Sequence, residues 1–299
     1  MCSIFAAIAV RGALALVDAL QFAAGRFHCP VSFYAAPQAA RTLIVLPALG
    51  VTARKYDGLA QRLVAAGHNV LVADWPGQGE SRPRPGWRHD YGYRQLVEEF
   101  LPKLLDLARR HFPEAAPVLL GHSLGGHIAT LYAAANPDSP VPVIGVACGN
   151  IHYRHWSGSR RLLTPSVALL FGLIVSVLGY LPGRRLAFGG QEARSLMRNW
   201  GRVAFSGDYR HLGLALAPPA RSRVASLFIQ IEGDHFAPPA STLGLARLIQ
   251  AEPQLAQLAS PRPPRENPHS AWLRAPQTVV EQIDGWLRQG LSAGSVAAG

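Results

Sequence analysis

From about residue 31 to residue 289, short apolar, β-branched runs alternate with longer segments of helical periodicity, and few architectures accept that rhythm. Strands linked through helices run parallel, and a parallel sheet needs helices on both faces. The pattern predicts strands at 31–34, 42–46, 69–74, 118–121, 141–148 and 225–232, with helices at 55–66, 93–111, 124–136, 239–250 and 276–289 bounded by glycine or proline. A chain of 299 residues, 49% hydrophobic, can bury one large core of this kind. No further strand can be drawn between Gln254 and Arg265.

One interval breaks the rhythm. Residues 152–222 hold no good strand but carry a long apolar stretch at 162–181, Trp156 and Trp200, so they read as an insertion above the sheet. The stretch approaches membrane-spanning length, yet Pro165, two glycines and several hydroxyls favour a lid helix. Residues 2–24 are also apolar, but Arg11 and Asp18 lie inside them and no basic segment precedes them. A secretory signal is therefore disfavoured, and a helix lying on the domain or on a membrane surface is expected within an N-terminal segment of 1–28. Residues 291–299 are expected to be a flexible tail.

The net charge of +11 comes almost wholly from arginine. The arginines are scattered, and no nucleic-acid-binding signature accompanies them, so no nucleic-acid partner is expected. Cys2, Cys29 and Cys148 are odd in number and lack metal-ligand spacing, which argues against a disulfide framework and a zinc site. A cytoplasmic location is expected. Peripheral membrane contact through residues 2–24 or the insertion is left as an alternative.

The chemistry concentrates in three places. In P-V-L-L-G-H-S-L-G-G, Gly121, Ser123 and Gly125 form G-x-S-x-G where an apolar strand gives way to a helix. A serine hydroxyl is a poor nucleophile unless it protrudes toward a base, and a sharp strand-to-helix turn presents it only when its neighbours are small. The turn also leaves amides unpaired at the helix start, so the Leu124 N–H is a candidate oxyanion donor. Leu49, in L-P-A-L-G-V after the 42–46 strand, is the candidate second donor.

Asp234 follows the 225–232 strand in G-D-H-F-A-P-P, at the strand end where functional groups of open α/β sheets collect. A carboxylate there can orient an imidazole and stabilise its cation. Glu232 is the nearest rival, and a helix N-cap role is the bland alternative for Asp234. Of 11 histidines, His269 stands well after the acid and ahead of the last helix; His122, His127, His152, His155, His211 and His235 lie in the turn, on the next helix, in the insertion or beside the acid. The order Ser123, Asp234, His269 is that of a known triad arrangement.

These motifs, with D-W-P-G-Q-G-E-S at 74–81 and N-P-H-S-A-W at 267–272, resemble the α/β-hydrolase family, and within it bacterial predicted serine hydrolases related to monoglyceride lipases and serine aminopeptidases. The resemblance covers about residues 29–290. It implies an α/β-hydrolase fold with a mostly parallel eight-stranded sheet, a helical cap between the sixth and seventh strands, and hydrolysis of esters or related acyl compounds without a metal or cofactor. Many relatives carry His-Gly where this chain has Pro47-Ala48. An acyltransferase using the same triad and a non-catalytic hydrolase-like binding protein remain as alternatives, and the apolar cap points to a lipid-like small-molecule substrate.

Overall fold

The computed structural model describes residues 6–10, 13–260 and 267–296, with side chains from residue 18 to 260 and 267 to 289. Among these, nine strands form the main sheet: β1 (Ala6–Val10), β2 (Ala13–Phe22), β3 (Phe27–Tyr34), β4 (Arg41–Leu46), β5 (Asn69–Ala73), β6 (Ala116–His122), β7 (Val143–Val146), then, after the short cap strands β8 (Tyr180–Pro182) and β9 (Gln191–Ala193), β10 (Ser226–Ile231) and β11 (Gln254–Leu258). The spatial order is β1-β2-β3-β5-β4-β6-β7-β10-β11. Pairing is parallel from β5 through β11 and antiparallel among β1, β2, β3 and β5. The eight strands expected are β2 to β7, β10 and β11, and β1 extends the edge.

Alternation along the inner strands explains their continuous apolar sequences. Leu43 and Val45 of β4 enter one core cluster while Ile44 and Leu46 enter the other. Val70 and Val72 of β5 separate from Leu71 and Ala73 in the same way. Both faces are therefore buried. Helices α1 (Asp57–Ala65) and α9 (Gln277–Val296) cover one face. The other face is covered by the helical run of α2 (Tyr93–Gln95), a π-type turn and α3 (Leu101–His111), together with α4 (Leu124–Ala135) and α7 (Pro239–Ala246).

Three expectations need correction. Where a helix was expected within residues 2–24, the chain forms β1 and β2; residues 1–5 and 11–12 lie outside the described residues. The reason is visible at the end of β2, where Leu20 and Phe22 are buried and Ala19 and Gln21 exposed, a period of two that suits a strand against β3. The strand that could not be drawn is β11, Gln-Leu-Ala-Gln-Leu, which sits at an edge with its side chains mostly exposed and so needs no apolar run. The tail expected from residue 291 is helical through Val296, since no proline interrupts the last turns of α9.

The insertion between β7 and β10 is a cap, as the sequence suggests. Its helices are α5 (Arg160–Leu178) and α6 (Arg194–Ser206), and it also holds the antiparallel pair β8–β9, which the sequence reading lacked. The α6 half is tied to the core: Asp90 accepts hydrogen bonds from the Ser195 amide and hydroxyl and pairs with Arg194, while Gln78 donates to the Gln191 carbonyl. Ahead of α5, the Trp156 indole donates to the His235 carbonyl, but helix α5 itself has no such anchor among the contacts described for its side chains; it packs on α6 through Phe171, Val175 and Met197.

Candidate active site

The turn between β6 and α4 places Ser123 at φ 51° and ψ −112°, a conformation that costs a non-glycine residue about 1–3 kcal/mol and persists only where packing enforces it. The packing is specific. A Cβ on Gly121 would meet the backbone of Gly125, and one on Gly125 would meet the Leu46 carbonyl, so neither position accepts a side chain. The Gly125 amide donates to the Pro47 carbonyl at 3.1 Å, joining the helix start to the loop after β4.

Ser123, His269 and Asp234 come together as expected. The serine Oγ lies 2.8 Å from His269 Nε2, and His269 Nδ1 lies 2.8 Å from Asp234 Oδ2. Asp234 is buried at the end of β10, after Gly233 in the left-handed region, and its Oδ1 accepts from the Phe236 and Ala237 amides at 2.8 and 3.2 Å. Glu232, the rival acid, is exposed two residues earlier, and Asp234 rather than it meets the imidazole. His269 stands on the short helix α8 (Pro268–Ala271), capped by the Asn267 side chain, which accepts from the His269 amide.

Burial pushes the Asp234 carboxyl upward, but the hydrogen bond and charge of His269 and the two amides outweigh it, holding the group below its ordinary value of 3.8. A depressed folded-state pKa means stability that is present above the unfolded value and lost as pH falls through the folded one. Melting temperatures measured from neutral pH into acid are expected to fall below about pH 4, and Asp234→Asn should flatten that decline; identical slopes would contradict the depressed carboxyl.

Leu49 and Leu124 both line the cavity in front of Ser123, and among the described residues neither amide donates to another protein group. The cavity, of about 1040 Å³, runs beneath the cap between Val167 of α5, Phe188, Trp200 of α6 and Trp156. Its lining is mainly apolar, and beside the residues around Ser123 its polar members include Tyr93, His127, Arg160, Thr164 and Glu232. The described residues contain no cluster of three or more potential metal-ligating side chains.

Known proteins share this fold. A family model described as serine aminopeptidase, S33, matches residues 37–178. The fold is similar along nearly its whole length to that of a soluble variant of monoglyceride lipase from Saccharomyces cerevisiae, with a TM-score of 0.66 over 94% of this chain and 97% of that one at 13% identity. The chain has the α/β-hydrolase fold. A thermophilic esterase from Thermogutta terrifontis has a similar fold, with a TM-score of 0.58 over 91% and 98% of the two chains and 18% identity. In sequence, the chain is 36% identical over 104 residues to a 2-hydroxy-6-oxononadienedioate/2-hydroxy-6-oxononatrienedioate hydrolase of Cupriavidus pinatubonensis and 35% identical over 89 residues to the monoglyceride lipase of Rattus norvegicus. These matches span 33% and 26% of the relatives' own lengths.

His122 and Tyr56 are functional-site neighbours that the sequence reading did not assign. His122 stands there only as a member of the turn, and Tyr56 only inside the helix expected at 55–66. His127 lines the same cavity, buried against Gly149 and the hydroxyls of Tyr93 and Tyr209, and His235 lines it beside the acid, while His152 and His155 form a pair in the cap's first turn.

Proposed function

We propose that this α/β hydrolase is a serine esterase that cleaves carboxylic esters of apolar acyl chains through an acyl-enzyme. The observation that carries the reading is the unbroken line from Ser123 Oγ through His269 to Asp234, facing an apolar cavity flanked by two free amides. His269 Nε2 takes the Ser123 proton as Oγ attacks the ester carbonyl, and the Leu49 and Leu124 amides receive the oxyanion. Asp234 keeps the Nδ1 proton in place, so that Nε2 is the free base, and steadies the imidazolium that forms. His269 then protonates the departing alcohol and activates water against the acyl-enzyme.

The cavity's apolar walls favour an acyl chain over a polar group, in keeping with the names of the lipase relatives. Across a series of p-nitrophenyl esters, kcat/KM is expected to rise from acetate to medium-chain esters by about 10-fold or more, since each buried methylene contributes about 0.8 kcal/mol. A preference for acetate would contradict the apolar-acyl assignment.

The cap also supports action at a lipid surface. Helix α5 is apolar and long enough to span a membrane, yet it lies on the cap with Leu162, Leu173 and Val177 71%, 69% and 73% exposed and Arg160 and Arg161 at its start. An exposed apolar stripe beside cations suits peripheral docking on anionic bilayers. Co-sedimentation with anionic vesicles is expected for the wild type and is expected to weaken several-fold in Leu169→Ser/Leu173→Ser; equal sedimentation of the two would contradict docking through α5.

A further inference from the structure

The histidine before the nucleophile is completely enclosed, and its two ring nitrogens are both engaged. Nδ1 lies 2.8 Å from the Tyr56 hydroxyl, and Nε2 lies 2.8 Å from the carbonyl oxygen of His269. The same hydroxyl accepts from the Ala48 amide at 2.8 Å. The two ends fix the direction of the line, because an amide can only donate and a carbonyl can only accept. Ala48 N–H therefore donates to Tyr56 Oη, Tyr56 O–H donates to His122 Nδ1, and His122 Nε2–H donates to the His269 carbonyl.

The three points joined in this way are those a serine esterase must hold in register. Ala48 immediately precedes Leu49, His122 immediately precedes Ser123, and the line ends on the backbone of His269 itself. His269 stands on a helix of only four residues, too short to fix its own position, and its carbonyl also accepts from Trp272 Nε1 at 3.1 Å. The His122 ring is further held edge-on to the Trp272 ring, 5.1 Å between centroids.

We infer that Tyr56 and His122 are positioning residues that set the Leu49 amide, Ser123 and the His269 imidazole in one register. The inference rests on the serine-esterase reading above. A second imidazole whose centroid is 5.3 Å from that of His269 would compete for its proton if it were basic. Burial, and then the nearby His269, push His122 down to about 3, so it stays neutral wherever the esterase would work.

The test compares Tyr56→Phe, His122→Leu, His122→Gln and the double variant Tyr56→Phe/His122→Leu with the wild type. The readouts are kcat and KM on a p-nitrophenyl ester, with near-ultraviolet circular dichroism to follow folded protein. Tyr56→Phe and His122→Leu are each expected to lower kcat by about 10- to 100-fold with KM within about twofold, because misplacing groups that already bind substrate costs rate rather than affinity. His122→Gln, whose amide can still donate to the His269 carbonyl, should recover most of the loss. The double variant should lose little more than the worse single one, as expected for one connected unit. A kcat within about twofold of wild type in both single variants, additive losses, glutamine no better than leucine, or losses that follow unfolding would overturn the assignment. If His122→Leu does not fold, the near-isosteric Tyr56→Phe and the glutamine variant decide. A wild type that neither turns over esters nor reacts with a fluorophosphonate removes the esterase reading and this inference with it; active wild type with unaffected variants removes the inference alone.

Discussion

Ser123→Ala is expected to abolish ester turnover, lowering kcat by on the order of 10⁴-fold or more and leaving only what the free amides and the pocket supply. The magnitude follows from geometry. No other hydroxyl is described against His269 Nε2, and alanine removes the oxygen that attacks without disturbing the glycine packing around the turn. Alanine still carries a Cβ in the left-handed region, so the local strain persists and stability should change little. Substrate binding should survive, because the cavity walls are intact. The check is steady-state kinetics on a medium-chain p-nitrophenyl ester, with melting temperature measured in parallel. Retention of more than about one part in a hundred of the wild-type rate, in protein free of wild-type contamination, would mean that another group supplies the nucleophile.

Asp234→Asn should cost nearly as much, on the order of 10³- to 10⁴-fold in kcat. Its effect is on proton placement. The carboxylate accepts from His269 Nδ1, which leaves Nε2 free to take the Ser123 proton. An asparagine amide in the same place can donate instead, and a donor there shifts the imidazole proton to Nε2, where it blocks attack. The Phe236 and Ala237 amides still find an acceptor in the asparagine oxygen, so the loop is expected to keep its shape. Kinetics combined with imidazole nitrogen chemical shifts would separate the two effects: a lost rate with an unchanged tautomer would contradict this account of Asp234.

The candidate site was legible because each element of the chemistry proposed for it imposes a local demand. Ser123 needs small neighbours at Gly121 and Gly125, Asp234 must end a strand, and His269 must precede the last helix; all three demands leave marks in the chain. The inner sheet was legible for a similar reason, since strands buried on both faces read as continuous apolar runs. The edges were not. The segment of β2 is rich in alanine and leucine, good helix formers, and pairing with β3 overrides that propensity. The glutamines of β11 are tolerated only because the strand is an edge. The β8–β9 pair is held by three residues on each side, too short to show a period.

The line from Ala48 through Tyr56 and His122 to His269 was hidden for a different reason. Its longest link joins positions 147 residues apart, and nothing local distinguishes a histidine whose two nitrogens serve as a strut from one that fills space. The signal available in the sequence was a histidine inside the turn itself, a place where a small or apolar residue would pack as well. Its significance needs the partners, and the partners come together only in the folded sheet.

The central claim is that Ser123 is the nucleophile, and the most direct measurement is intact-mass and peptide mapping after exposure to a fluorophosphonate. One adduct per chain is expected, on the peptide carrying Ser123, and none on Ser123→Ala. No adduct on the wild type, or an adduct mapped to another residue, would contradict it.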